Sequence, residues 1–126
     1  MRLLLDTHIA IWWPVGSRFL GAKARDLIMT QDAELFISAA SWWELAIKRS
    51  LRRLDIDLQA TRDALETRQV AMLSVTFDHA EAAAALPALH RDPFDRMLIA
   101  QASCEQLVLL TRDSQLASYG PMVLVV

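Results

Sequence analysis

Apolar residues in this chain fall in short runs that alternate with stretches of helical spacing. Residues 3–5 are all Leu and end abruptly in Asp6-Thr7-His8. A strand apolar at every position reads as buried on both faces, like the central strands of parallel sheets. Ile9, Ile11, Trp12 and Trp13 then predict a short helix closed by Pro14 and Gly16. Over 21–30, Ala22, Leu27 and Ile28 recur among Lys23, Arg25 and Asp26, an amphipathic surface helix. A second strand is predicted over 34–38. Ser41 is expected to open a helix carrying Trp42, Trp43, Leu45, Ala46 and Ile47 as far as Leu51, and Asp57 to cap another over 58–68.

The second half repeats the alternation. Residues 72–75 predict a third strand, followed by a turn near Thr76-Phe77 and an Ala-rich helix that Asp78 starts and Pro87 limits. Asp92-Pro93 marks a helix start, an acidic cap followed by Pro at the first helical position, and Phe94, Met97, Leu98, Ile99 and Ala102 face inward along it. A fourth strand over 107–110 ends in Thr111-Arg112-Asp113. A turn of helix over 114–117 and a C-terminal strand over 122–126 complete the chain. Strands alternating with helices predict a three-layer α/β/α domain with a mainly parallel, five-stranded sheet.

Composition narrows the class. At 126 residues the chain is expected to be one domain over 1–126, large enough for a single core. No apolar run approaches the ~20 residues of a membrane span, and Asp6 interrupts the N-terminal Leu run too early for a signal peptide. The lone Cys104 excludes an internal disulfide and a cysteine metal site, which suits a reducing cytoplasm. A formal net charge of −2 is not that of a protein binding nucleic acid by bulk charge. A polyanionic substrate would have to be met by local basic clusters or bound metal ions.

Four acids occupy corresponding places. Asp6 and Asp113 follow strands one and four, Glu44 is expected in the first turn after strand two, and Asp95 lies in the first turn after Asp92-Pro93. Helix starts and strand ends share one edge of a parallel sheet, and ligands bind there. Taken singly, each acid reads as a cap: Ser41-x-x-Glu44 fits a capping box, and Asp95 stands three residues after Asp92. Taken together they suggest a pocket. Two carboxylates ~5 Å apart repel by roughly 3 kcal/mol at an effective dielectric near 20. A hard divalent ion relieves that repulsion, and oxygen ligands favour Mg²⁺ or Mn²⁺ over Zn²⁺. Such an ion suits phosphodiester hydrolysis by activating water and stabilising charge on the leaving oxygen.

At Leu4-Leu5-Asp6-Thr7-His8, Ser41-Trp42-Trp43-Glu44-Leu45, residues 91–102 (RDPFDRMLIAQA) and Leu109-Leu110-Thr111-Arg112-Asp113, the chain resembles the PIN-domain family, most of all its VapC-type toxins. The resemblance covers almost the whole chain, and the block around Asp95 is its most specific part. It implies the PIN strand order with strand one central, and a Mg²⁺- or Mn²⁺-dependent endoribonuclease. Such a protein is the toxin of a toxin–antitoxin pair, partnered by a cognate antitoxin and usually a homodimer. Carried over by motif, Asp6 and Asp95 would ligate metal directly. Glu44 and Asp113 would complete the site through a second metal or through water, with Thr7 and Thr111 as supporting hydroxyls. Many members have Asn where this chain has His8, so no role carries over there. Asp92 reads as a helix cap or as holding a water behind the site.

Other residues carry weaker signals. Lys48, Arg49, Arg52 and Arg53 form a basic cluster that reads either as a solvated helix end or as a contact for RNA phosphates or an acidic antitoxin segment. Arg96 is placed to touch a substrate phosphate or to hold a neighbouring carboxylate. His79 and His90 read as surface or helix-end residues, and Cys104 as a small core residue. Trp12-Trp13 and Trp42-Trp43 cannot all face one core, so some are expected at a subunit or partner interface. Two other classes remain: a non-catalytic RNA- or protein-binding PIN module, and a metal-dependent phosphatase or phosphotransfer domain. The phosphatase class would place a second Asp where His8 stands. A receiver domain would need a late lysine, and the last is Lys48.

Overall fold

The computed structural model describes residues 1–126. Five strands, β1 (Arg2–Leu5), β2 (Glu34–Ser38), β3 (Ala71–Leu73), β4 (Val108–Thr111) and β5 (Val123–Val125), form one sheet in the order β3-β2-β1-β4-β5. Every pairing is parallel. The helices are α1 (Thr7–Trp12), α2 (Ala22–Ile28), α3 (Ala39–Ser50), α4 (Leu58–Thr67), α5 (Phe77–Ala85) and α6 (Pro93–Glu105), with a 3-10 helix over Ser114–Tyr119. No helix is long and apolar enough to cross a membrane.

The central position of β1 follows from its sequence. Successive strand side chains point to opposite faces, so three leucines in a row need apolar cover on both sides. Leu3 and Leu5 pack with Ile9, Ala24, Ile28 and Leu65 beneath α1, α2 and α4. Leu4 packs with Leu98, Ile99 and Ala102 of α6 and with Leu116. All three leucines are fully buried. The register with β4 pairs Leu5 with Leu110, and Asp6 N donates to Leu110 O at 3.0 Å. That register sets residues 6 and 111 beside each other at the carboxyl edge.

Three local expectations are corrected. Ser41 does not open α3. Ser38, the last residue of β2, caps it by accepting from Ala40 N at 3.0 Å. The strand therefore runs straight into the helix, Ser41 is buried inside it, and Glu44 lies in the second turn, outside any capping box. Nor does Asp78 start α5. Thr76 caps it: Thr76 Oγ1 accepts from His79 N at 3.2 Å, and His79 Nδ1 accepts from Thr76 N at 3.1 Å. His79 is thus at a helix end yet buried, with Nε2 2.8 Å from Glu105 Oε1. Cys104 is exposed, because the inward stripe of α6 runs through Leu98, Ile99 and Ala102 and leaves it on the far side.

Leu109 is fully buried on β4, between β1 and β5. Leu109→Ala should lower the free energy of urea unfolding by about 2–5 kcal/mol through lost burial and the cavity left behind. A loss below 1 kcal/mol would show that this part of the core collapses around the gap.

Candidate active site

At the carboxyl edge of the sheet lies a cavity of about 320 Å³, lined by Asp6, His8, Trp12, Glu44, Lys48, Asp92, Asp95, Arg112 and Asp113. The four acids expected to converge do so, although they come from β1, α3, α6 and the end of β4. With Asp92 they make five carboxylates facing two cations, Lys48 and Arg112. A larger apolar cavity of about 510 Å³ lies elsewhere, lined in part by Ile37, Trp42, Trp43, Leu65 and Met72.

Capping explains only one of the four. Asp113 Oδ1 accepts from Gln115 N at 2.9 Å. Asp6 precedes α1 but makes no side-chain cap; its Oδ2 accepts from Thr111 Oγ1 at 2.5 Å. Glu44 Oε1 accepts from Thr7 Oγ1 at 2.9 Å and Oε2 from Lys48 Nζ at 2.8 Å. Asp92 caps α6, as expected, by accepting from Phe94 N and Asp95 N. Asp95 turns away from that cap, with Oδ2 2.8 Å from His90 Nε2. Asp95 and Asp113 thus each keep one carboxylate oxygen without a hydrogen-bond partner, and Asp6 has Thr111 as its side-chain partner, whereas both oxygens of Glu44 are taken.

The supporting hydroxyls lie where expected. Thr7 Oγ1 bridges Ser41 Oγ and Glu44. Thr111 Oγ1 donates to Asp6 while accepting from Asp113 N at 3.0 Å, so one hydroxyl orients two of the acids.

Burial makes the charge costly. Asp6 and Glu44 are 7% and 6% exposed. Burial pushes the Asp6 carboxyl up; the Thr111 hydrogen bond opposes this and the Glu44 charge adds to it. Burial likewise pushes the Asp95 carboxyl up to about 6, against the His90 hydrogen bond and with repulsion from Asp92 and Asp6. An all-carboxylate donor set this crowded and this poorly solvated fits a hard divalent cation.

Other sequence expectations fare differently. Arg96 points away from the pocket. Its guanidinium donates to the carbonyls of Ala83, Leu86, Pro87 and His90 and to Tyr119 Oη, stapling the α5–α6 connection. Of the basic cluster only Lys48 lines the pocket. Arg49 Nε donates to Ile56 O, and Arg49 and Arg52 border a separate shallow depression with Leu54 and Asp55. Arg53 is exposed.

Two site residues carried no sequence signal. Arg112 stands over the Trp12 ring and donates to Phe19 O. His90 meets Asp95 through a connection whose path only Arg96 reveals. His8 does line the pocket, stacked near Trp12 with ring centroids 5.4 Å apart.

A parallel α/β sheet with acids gathered beyond its central strand defines a class of domains that build their sites at the carboxyl edge. The family model described as "PIN domain" matches residues 3–120, and the chain belongs to the PIN-domain family. It is 32% identical over 119 residues to ribonuclease VapC22 of Mycobacterium tuberculosis, a match covering 93% of this chain and 91% of that protein. It is similar to a chain of a toxin–antitoxin complex from Klebsiella pneumoniae, with TM-score 0.69 and 26% identity over 98% of this chain and 96% of that one. VapBC2 from Rickettsia felis, solved with a promoter DNA fragment, shares the fold at TM-score 0.70 and 14% identity, covering 99% and 97%.

The raised Asp95 carboxyl predicts a pH signature. The folded state keeps this proton up to about pH 6, whereas the usual value is 3.8. Native protein therefore binds more protons through that window, so stability falls as pH rises across it, and the cost is complete above it. In metal-free buffer, Asp95→Asn should be more stable than the parent by about 1 kcal/mol at pH 7.5, with solvent screening allowed for. The gap should close towards pH 4. Urea unfolding at both pH values checks this, and an equal gap at both would contradict it.

Proposed function

We propose that this chain is a Mg²⁺- or Mn²⁺-dependent endoribonuclease acting as the toxin of a VapBC-type toxin–antitoxin pair. The convergence of Asp6, Glu44, Asp95 and Asp113 in one buried pocket carries the proposal. The name of the M. tuberculosis relative supports the ribonuclease activity. The toxin–antitoxin complex from K. pneumoniae supports a cognate antitoxin as partner. A single PIN domain over 1–126, working as a homodimer in the cytoplasm, completes the reading.

Asp6 and Asp95 would hold the metal directly, Asp6 held in place by Thr111 and Asp95 with an oxygen that its His90 hydrogen bond leaves available. Asp113 also has one and would take a second metal or a bridging water. Glu44, held by Thr7 and Lys48, fits a role through water. When bound, the ion supplies Lewis-acid polarisation of the phosphate and activation of the attacking water. The chain's own contribution is position. Thr111 orients Asp6, Thr7 orients Glu44, and Lys48 and Arg112 bring positive charge to the rim where RNA phosphates would lie. In this reading Arg49, Arg52 and Arg53 contribute less to substrate contact than those two.

Asp6→Asn and Asp95→Asn should each lower cleavage of an RNA substrate by about 100-fold or more, since a lost ligand removes several kcal/mol of charge stabilisation. Cleavage should vanish in EDTA and return with Mg²⁺ or Mn²⁺, with circular dichroism unchanged in both variants. Metal-dependent RNA cleavage that survives Asp6→Asn would overturn the site assignment.

A further inference from the structure

His90 sits beside the acids without a part in the reading above. Its Nε2 is 2.8 Å from Asp95 Oδ2. A ring nitrogen of His90 and one oxygen each of Asp95 and Asp113 lie within 4.8 Å of one another. An ion with bonds of about 2.1 Å separates its ligand atoms by roughly 3 Å when adjacent and roughly 4.2 Å when opposite. A small closure therefore brings all three donors onto one ion.

The ring is also held in place. Arg96 Nη1 donates to His90 O at 3.3 Å and to Pro87 O at 2.9 Å. Its Nη2 donates to Ala83 O at 2.9 Å and Leu86 O at 3.0 Å. Tyr119 Oη adds a hydrogen bond to Pro87 O at 3.0 Å. A five-donor guanidinium spent on backbone carbonyls fixes the path of a segment that otherwise lacks regular structure. That path ends with the imidazole on Asp95.

We propose that His90 is a nitrogen ligand of this pocket, and that with Asp95 and Asp113 it forms a mixed nitrogen–oxygen site favouring Mn²⁺ over Mg²⁺. The proposal rests on the metal-nuclease reading and adds an unexpected ligand and a metal preference. Mg²⁺ keeps oxygen ligands and its own water, whereas first-row transition ions gain from imidazole. An ionised carboxylate only accepts, so Nε2 carries the ring hydrogen while it faces Asp95. On ligation that hydrogen moves through solvent to Nδ1, leaving the Nε2 lone pair on the ion with no net change in protons. Nδ1 has no protein partner, and the side chain is 17% exposed, so water can take the displaced hydrogen bond.

The test is pulsed electron paramagnetic resonance of the Mn²⁺-loaded full chain, with Mn²⁺ and Mg²⁺ affinities from competition titration. The parent should show ¹⁴N modulation from a coordinated imidazole. His90→Ala should abolish it, and His8→Ala, which removes the imidazole that lines the cavity itself, should keep it. The preference for Mn²⁺ over Mg²⁺ should fall about tenfold in His90→Ala, with Mg²⁺ affinity nearly unchanged. A residue that merely oriented Asp95 would weaken both ions alike and give no ¹⁴N signal. Bound Mn²⁺ without ¹⁴N modulation in the parent overturns the proposal and leaves the nuclease reading intact, and needs no variant to fold. Modulation that survives His90→Ala overturns it too. Failure of the parent to bind Mn²⁺ or Mg²⁺ overturns both.

Discussion

The hydrogen bond from Thr111 Oγ1 to Asp6 Oδ2 joins the core to the pocket. It forms only because β1 and β4 run parallel with Leu5 opposite Leu110, which brings the next residue of each strand side by side. That register is fixed by side chains well away from the pocket. A slip of one residue would turn Leu3, Leu4 and Leu5 to the wrong faces, and each face is already filled by different helices. The position of one carboxylate oxygen is therefore set by the packing of the whole sheet. The same hydroxyl accepts from Asp113 N, so one side chain positions both acids.

Such a pocket works against folding. Asp6 and Asp95 are both pushed towards their neutral forms by burial; neighbouring carboxylates add to the effect, and the Thr111 and His90 hydrogen bonds only partly offset it. A structural ion pair would be arranged the other way, with cations matched to acids. Here Lys48 answers Glu44 and Arg112 stands at the rim, leaving the four Asp carboxylates of the pocket without a Lys or Arg salt bridge. Crowded charge retained in a well-packed scaffold is the pattern of a site built for a ligand that supplies the missing positive charge.

The fold was legible because its signals are local. A run of buried leucines, an Asp-Pro helix start and strand–helix alternation each speak within a few residues, and all five strands lie where the pattern puts them to within a residue or two. Ambiguity arose where two capping residues lie close together. Ser38 and Ser41 both suit a cap, and only the absence of a loop after β2 selects Ser38. Asp6, Asp95 and Asp113 were legible from their place at strand ends and a helix start, and Glu44 lies one turn further into α3 than that pattern put it. Arg96 and His90 were not, because their roles depend on contacts of a connecting segment that has no periodicity. His79 misled for a related reason: an imidazole at a helix N-terminus usually faces solvent, but this one completes the cap of α5 and packs against α6.

The tandem tryptophans show how one helix serves several surroundings. Adjacent residues on a helix point about 100° apart, so Trp42, Trp43 and Glu44 cannot share a face. Glu44 turns into the acid pocket, while Trp42 and Trp43 border the apolar cavity. Trp43 remains 64% exposed and meets Phe94 edge-on at 5.4 Å. Phe94 is half-buried and precedes Asp95 at the start of α6, as Trp43 precedes Glu44 on α3, so one aromatic contact and two of the pocket acids are carried by the same two helix segments.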